Sequence, residues 1–291
     1  MILRHPRREE IPQLAELWSS CFPDAQEDVA RFLDQVLRPE YGLVVLQPNG
    51  RPAAMLTMLP VMMHTNTNIY KGSYLYGVCT HPDFRGQGYF HQLMERAKEE
   101  AKSQNRQFLC LVPAGEKLFS LYRSLGYETL FYRTQKKLNP LDYEDRQVLC
   151  TMEEIGEGYY IKLRQLYLSG LDLSVQFDGT LQTILYQDLK DAGCRMISVQ
   201  CRYGHGCVVF TQRRDTMEIW EAAMDPTCFY SIITPLAQRF GAKQVLLTGH
   251  PCYAGARQEL SPYGMYLPLE DKLALPGEKY PQPYMNLMLD Q

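Results

Sequence analysis

The sequence predicts an α+β protein of two lobes, each a central, mixed and mostly antiparallel sheet flanked by helices. Three observations lead there. Segments with apolar residues at helical spacing alternate with short strand-like apolar runs along the whole chain. The order strand, loop, helix, buried strand, glycine-ended turn, strand occurs twice. A chain of 291 residues is about twice a typical domain.

In the first half, residues 9–20 and 27–37 read as helices, with Ile11, Leu14, Leu17 and Trp18, then Val29, Phe32, Leu33 and Val36, at helical spacing. Strands follow at 43–46 and 53–63, joined by the hairpin turn Pro48, Asn49, Gly50, Arg51, Pro52. Residues 69–79 form another strand, and a charged helix runs from the glycines after it to about residue 104. Residues 108–112 are short and apolar, hence a buried strand; 117–125 make a helix stopped by Gly126, and 127–137 return as a strand. Pro140 and the acidic pair Glu144 and Asp145 interrupt the pattern, which places a linker at 139–145 and divides the chain into lobes 1–140 and 141–291.

The second half reads as helices at 161–168 and 181–189 and strands at 196–201, 206–212 and 217–224. A loop opens at Asp225 and Pro226, a helix follows at 232–240, ended by Gly241, and 244–248 is a buried strand. Residues 263–269 and 284–289 read as closing strands. The repeated order implies a divergent internal duplication, although no residue-level repeat accompanies it.

Composition excludes several function classes. Hydrophobic residues at 45% and charged residues at 22% are those of a globular chain. The start, Met1 to Pro6, has neither the apolar core of a signal peptide nor a targeting helix, and no uncharged apolar run is long enough to span a bilayer. The expectation is a cytoplasmic protein without a membrane partner. A net charge of −3 argues against nucleic acid as a partner. The nine cysteines show no CxxC pair and no Cys/His cluster at ligand spacing, so buried, reduced thiols and no metal are expected. Residues 1–140 carry 17 Lys and Arg against 14 Asp and Glu, while 141–291 carry 13 against 19. That asymmetry is either ordinary surface variation or a match for an anionic donor and a cationic acceptor.

The informative segment is Val78, Cys79, Thr80, His81, Pro82, Asp83, Phe84, Arg85, Gly86, Gln87, Gly88, Tyr89, Phe90: strand, turn, glycines, helix. Glycines there let successive backbone N–H groups face one concavity, and the following helix adds its positive end. Taken alone, they serve either an anion cradle or merely a tight turn. The whole stretch, however, resembles the acetyl-CoA signature of the GCN5-related N-acetyltransferase (GNAT) superfamily, with Arg85-Gly86-Gln87-Gly88 as its compressed form. Residues 108–112, followed by Leu118-Phe119-Ser120-Leu121-Tyr122-Arg123-Ser124-Leu125-Gly126-Tyr127-Glu128, resemble the family's next strand and its Tyr-x-x-x-Gly-Phe/Tyr helix. The resemblance covers about residues 1–137; the second half resembles only the fold.

The resemblance implies acetyl-CoA as co-substrate, with the backbone of Val78, Cys79 and Thr80 pairing with the pantetheine arm as an added strand. It implies that the N–H groups of Arg85, Gly86, Gln87, Gly88, Tyr89 and Phe90 hold the pyrophosphate. It gives Tyr122 the role of the acid that protonates the departing thiolate; by residue type alone Tyr122 equally fits a core position. The reaction would be direct transfer of acetyl to a primary amine of a small molecule or peptide, with Cys79 structural or lining the tunnel; the acidic second half suits a cationic acceptor. Glu128, Tyr74 and Tyr76 are candidate bases, with the C-terminal carboxylate of Gln291 a remoter one. The second-half turn, Met224 to Tyr230, contains no glycine and has Pro226, so it is expected not to bind CoA. Two other readings remain open here, a non-catalytic acyl-CoA sensor and an aminoacyl-tRNA-dependent peptidyltransferase, and the oligomeric state is undefined.

Overall fold

Residues Ile2–Arg4 open the chain as β1, and the two periodic segments behind it fold as α1 (Ile11–Ser19) and α2 (Gln26–Val36). Each buries the stripe its spacing predicts: Leu14, Leu17 and Trp18 on α1, and Val29, Leu33 and Val36 on α2. Then come β2 (Gly42–Leu46), β3 (Pro52–Thr65), β4 (Ile69–Thr80), α3 (Tyr89–Ser103), β5 (Phe108–Leu111) and α4 (Glu116–Ser124). The structure is a computed structural model describing residues 2–47, 49–254, 260–270, 273, 275 and 283–289. Pro48 and Gln291 lie outside them.

The chain forms two units, the first of Met1–Met62, Tyr70–Glu128 and Met265–Ala274, the second of Met63–Ile69, Thr129–Gly264 and Leu275–Gln291. In the first, β1 runs antiparallel to β2, β2 antiparallel to β3, and β4 lies between β3 and β5. β4 is parallel to β5, with Gly72 opposite Phe108 and Tyr74 opposite Cys110. Strand alternation sorts the core onto two faces. Val45, Leu56 and Leu75 pack with Leu93, Ala97 and Tyr122 of α3 and α4. Val44, Met55 and Cys79 pack with Leu14, Trp18 and Leu33 of α1 and α2. Each such fully buried aliphatic side chain contributes about 1.5–3 kcal/mol.

The second unit contains β6 (Glu128–Leu138), β7 (Cys150–Glu154), α5 (Glu157–Ser169), β8 (Leu173–Phe177), α6 (Thr180–Asp191), β9 (Arg195–Cys201), β10 (Gly204–Arg213), β11 (Thr216–Ala223), α7 (Pro226–Phe240) and β12 (Gln244–Gly249), with part of β13 (Leu260–Pro268) and β14 (Tyr284–Met285). The pairing repeats that of the first unit. β7 and β9 are antiparallel as β1 and β2 are; β9 and β10 are antiparallel as β2 and β3 are; β11 and β12 are parallel as β4 and β5 are. The element order that repeats in the sequence is thus accompanied by a repeated order of strand pairing. Within the first unit, the strand beyond β5 is Met265–Pro268, antiparallel to it; within the second, β6 runs antiparallel to β12, with Leu138 opposite Val245.

The sequence does not predict strands β1, β7 and β8, and three predicted segments differ from expectation. The segment expected as a linker contains a 3-10 helix, Pro140–Arg146, because the Asn139 side chain accepts from Leu141 N at 3.2 Å and Thr234 Oγ1 donates to Pro140 O at 2.6 Å. α7 starts at Pro226 and not at 232, since Asp225 caps it by accepting from Thr227 N at 2.7 Å and proline suits the first helical position. The expected strand at 284–289 ends at Met285, and Met288 takes a left-handed φ of 55° that a strand cannot hold. Among the described residues no helix is long and apolar enough to cross a membrane.

Candidate active site

The site is built on the end of β4. Val78 packs against the α3 face and Cys79 is buried on the α1 face, as strand alternation requires. Gly77, just before them, has φ +62°, and a Cβ there would meet the Trp18 ring at 2.0 Å. Only glycine fits. The pairing of β4 with β5 stops at Tyr74, so residues 75–80 have no register partner on β5 among the described residues. An unpaired strand edge is the surface on which an extended amide chain adds.

Past Thr80 the chain makes a short turn, Pro82–Phe84, whose cap His81 Nδ1 accepts from Asp83 N at 3.2 Å. Arg85 Nε donates to Thr80 O at 3.4 Å. Gly86 and Gly88 sit at φ +75° and +80°, with no neighbour that a Cβ would strike, so backbone conformation and not crowding requires them. Residues 85–88 are exposed, and α3 begins at Tyr89 with Gly88 as its cap, no side chain bonded there and no acidic residue in the first turn. Its leading N–H groups are free of any side-chain cap, at the positive end of a 15-residue helix. This cradle fits a pyrophosphate.

Tyr89 braces it. The Tyr89 hydroxyl donates to Gln87 Oε1 and accepts from Gln47 Nε2, both at 2.8 Å, tying the turn to the end of β2. Gln47 carried no sequence signal, because its role depends on a partner far along the chain. Gly77 did carry one: an isolated glycine inside a strand marks a bulge or a close approach.

Tyr122 lies on α4 with its ring 5.9 Å from Phe90 and 5.7 Å from Tyr127, and is only 6% exposed. The structure thus brings Tyr122 beside the first turn of α3. Burial pushes its phenol up to about 12, so it keeps its proton throughout the neutral range. Of the candidate bases, Tyr74 and Tyr76 lie on β4 and Glu128 opens β6. Tyr74 is fully buried and stacked on Tyr76, which meets the Trp18 ring at 5.0 Å; Glu128 is exposed at the start of β6. No group of three His, Cys, Asp or Glu among the described residues is placed to hold a metal ion.

A family profile described as "Acetyltransferase (GNAT) domain" matches residues 3–130, the stretch that carries the cradle and Tyr122. Residues 3–130 belong to the GNAT acetyltransferase family. The chain therefore carries a GNAT acyltransferase domain. Solved GNAT-related structures share the fold well beyond that stretch. One from Kribbella flavida is 15% identical with a TM-score of 0.74, covering 92% of this chain and 72% of that one. One from Anabaena variabilis is 18% identical with a TM-score of 0.74, covering 92% and 73%. A tandem GNAT protein from the clavulanic acid biosynthesis pathway is 11% identical with a TM-score of 0.53, covering 93% and 99%. No curated protein matches the chain in sequence.

Proposed function

We propose that the chain is an N-acetyltransferase that transfers the acetyl group of acetyl-CoA directly to a primary amine of a small molecule or peptide. The observation that carries this reading is the pairing of an uncapped α3 N-terminus behind two left-handed glycines with a proton-bearing Tyr122 beside it. Acetyl-CoA supplies an activated thioester. The N–H groups of Arg85 to Phe90 hold its pyrophosphate, and the unpaired edge at Val78, Cys79 and Thr80 holds its amides. Bound so, the thioester lies along β4, where backbone N–H groups steady the carbonyl oxygen as it gains charge.

Tyr122 then gives its proton to the departing thiolate. A phenol at about 12 is a weak acid, but the burial that raises it acts equally on a thiolate formed in the same place. The proton therefore moves between two groups whose charged forms are both disfavoured there. The acidic balance of residues 141–291, 13 basic against 19 acidic side chains, suits a cationic amine. The protein is accordingly read as a cytoplasmic enzyme that needs no metal.

Calorimetric titration with acetyl-CoA, followed by a CoA-release assay over a panel of amines, tests this. One site per chain and amine-dependent release are expected. Absence of acetyl-CoA binding overturns the reading, and binding without release on any amine replaces it with a sensor.

A further inference from the structure

An arginine and a histidine meet where the turn before β3 lies against the residues after β4. Arg51 directly precedes β3, and His81 caps the Pro82–Phe84 turn that leads to Gly86 and Gly88. Backbone bonds fix both positions: His81 N donates to Ala53 O at 2.9 Å, and Arg51 N donates to Asn49 Oδ1 at 3.1 Å. Arg51 Nη2 lies 3.2 Å from His81 Nε2, with the guanidinium 5.8 Å from the centre of the Phe84 ring.

This contact lacks an acceptor. A neutral imidazole has one nitrogen that accepts and one that donates, and a protonated ring has none that accepts. Asp83 N–H is aimed at Nδ1 from 3.2 Å, and the Arg51 guanidinium meets Nε2. The ring can accept from only one of them. Asp83 Oδ2, 3.7 Å from Nδ1, is too far to help. With Nδ1 taken by Asp83 N, the Nε2–H of His81 and the Arg51 N–H stand side by side, donor against donor. A carboxylate accepts from two such donors at once.

The same two side chains line an open cavity of about 300 Å³, the lower end of the range for small-molecule sites. Glu16 and the buried Leu17 of α1 line it too. Among the described residues neither Arg51 nor Glu16 belongs to an ion pair. The cavity thus holds one unpaired positive and one unpaired negative side chain.

We propose that this cavity binds a free α-amino acid, with its carboxylate on Arg51 and His81 and its ammonium on Glu16. An amine held by a carboxylate keeps its proton and has no lone pair for attack, so the ligand is an effector and not the acetyl acceptor. It gives Arg51 and His81 the acceptor they lack and so steadies the cap of the turn before Gly86 and Gly88. Acetyl-CoA binding should therefore tighten, and acetyl-CoA should tighten amino-acid binding by the same factor. This coupling alone rests on the proposed function.

The test titrates the full chain calorimetrically with the common α-amino acids, each beside its N-acetyl derivative and its methyl ester. Binding of at least one amino acid is expected, lost in both derivatives. Arg51→Gln and Glu16→Gln, both at exposed positions, should each weaken it about 10-fold or more. Glu16→Gln should leave acetyl-CoA binding unchanged when no amino acid is present. No amino-acid binding, equal binding of the N-acetyl derivative, or indifference to both substitutions overturns the proposal. Displacement of the amino acid by acetyl-CoA also overturns it and assigns Arg51 to the cofactor. Saturating amino acid should raise acetyl-CoA affinity about fivefold or more; an unchanged affinity overturns only the coupling. A chain that binds the amino acid but no acetyl-CoA overturns the proposed function and leaves this site standing.

Discussion

The two units build the same corner, a strand running into a helix beside a parallel neighbour, and finish it in opposite ways. In the first, residues 81–88 separate β4 from α3; in the second, only residues 224–225 separate β11 from α7. The long turn carries Gly86 and Gly88 and leaves the helix end open, whereas Asp225 puts its own carboxylate on Thr227 N and Pro226 has no N–H to give. One helix end has no side-chain cap. The other is capped by the chain's own Asp225.

The strand edges differ as well. The last β4–β5 pair is Tyr74 with Cys110, and the last β11–β12 pair is Ile219 with Leu247, so Ala222 and Met224 stand where Gly77 and Cys79 stand in the first unit. In the second unit the Tyr253 hydroxyl donates to both Ala222 O at 3.0 Å and Met224 O at 2.7 Å. Nearby, Arg164 Nε donates to Glu221 Oε2 at 2.5 Å, and the Tyr284 hydroxyl donates to Glu221 Oε1 at 2.9 Å, all of it buried. The backbone that would receive pantetheine is occupied by the protein itself. A duplicated fold thus keeps its topology while its ligand edge is converted into core.

Four experiments can break or sharpen this contrast. The largest effect is expected from Tyr122→Phe, which keeps the ring packing and removes the proton: kcat should fall roughly 10²–10⁴-fold with acetyl-CoA affinity little changed. With the phenol near 12, no basic limb from Tyr122 belongs in the kcat–pH profile below that value, since its proton is lost only as pH rises past it. Near-normal turnover in Tyr122→Phe would mean that another group protonates the thiolate.

Next in size, Glu221→Ala leaves Arg164 buried without its partner and should cost about 3–5 kcal/mol of stability, read by denaturant unfolding. Acetyl-CoA should still bind at one site per chain; a second site would show that the plug alone suppresses the second lobe. Gly86→Pro and Gly88→Val come third. The first removes an N–H and the second forces a β-branched residue to φ +80°, so affinity should drop about 10–100-fold, or about 1.4–2.7 kcal/mol. Unchanged affinity would return the glycines to a turn role. The smallest effect is expected from Asp225→Ala, about 1 kcal/mol of stability with no gained site. Acetyl-CoA binding at the freed helix end would show that the cap, and not the missing turn, closes it.

Much of this was legible in the residues themselves. The stripes of α1 and α2, the glycines after β4, the proline at 226 and the repeated element order are encoded within a few neighbouring positions, where spacing and allowed φ act directly. Short strands with few residues to show a period, β1, β7 and β8, escaped notice, and Asp225 with Pro226 was read as a loop although the pair is a helix start. What the tertiary structure alone decided is of another kind. It chose Met265–Pro268 and not β6 as the neighbour of β5, set Trp18 against Gly77, brought Gln47 to Tyr89, raised the Tyr122 phenol, and filled the second edge with Tyr253. Each depends on atoms remote in sequence: strand partners are selected among all available edges, and a buried group's proton affinity is set by whatever displaces its water. Local residue chemistry therefore determined which segments could bind a phosphate or turn a chain, and packing determined which of two equivalent corners was left open to do so.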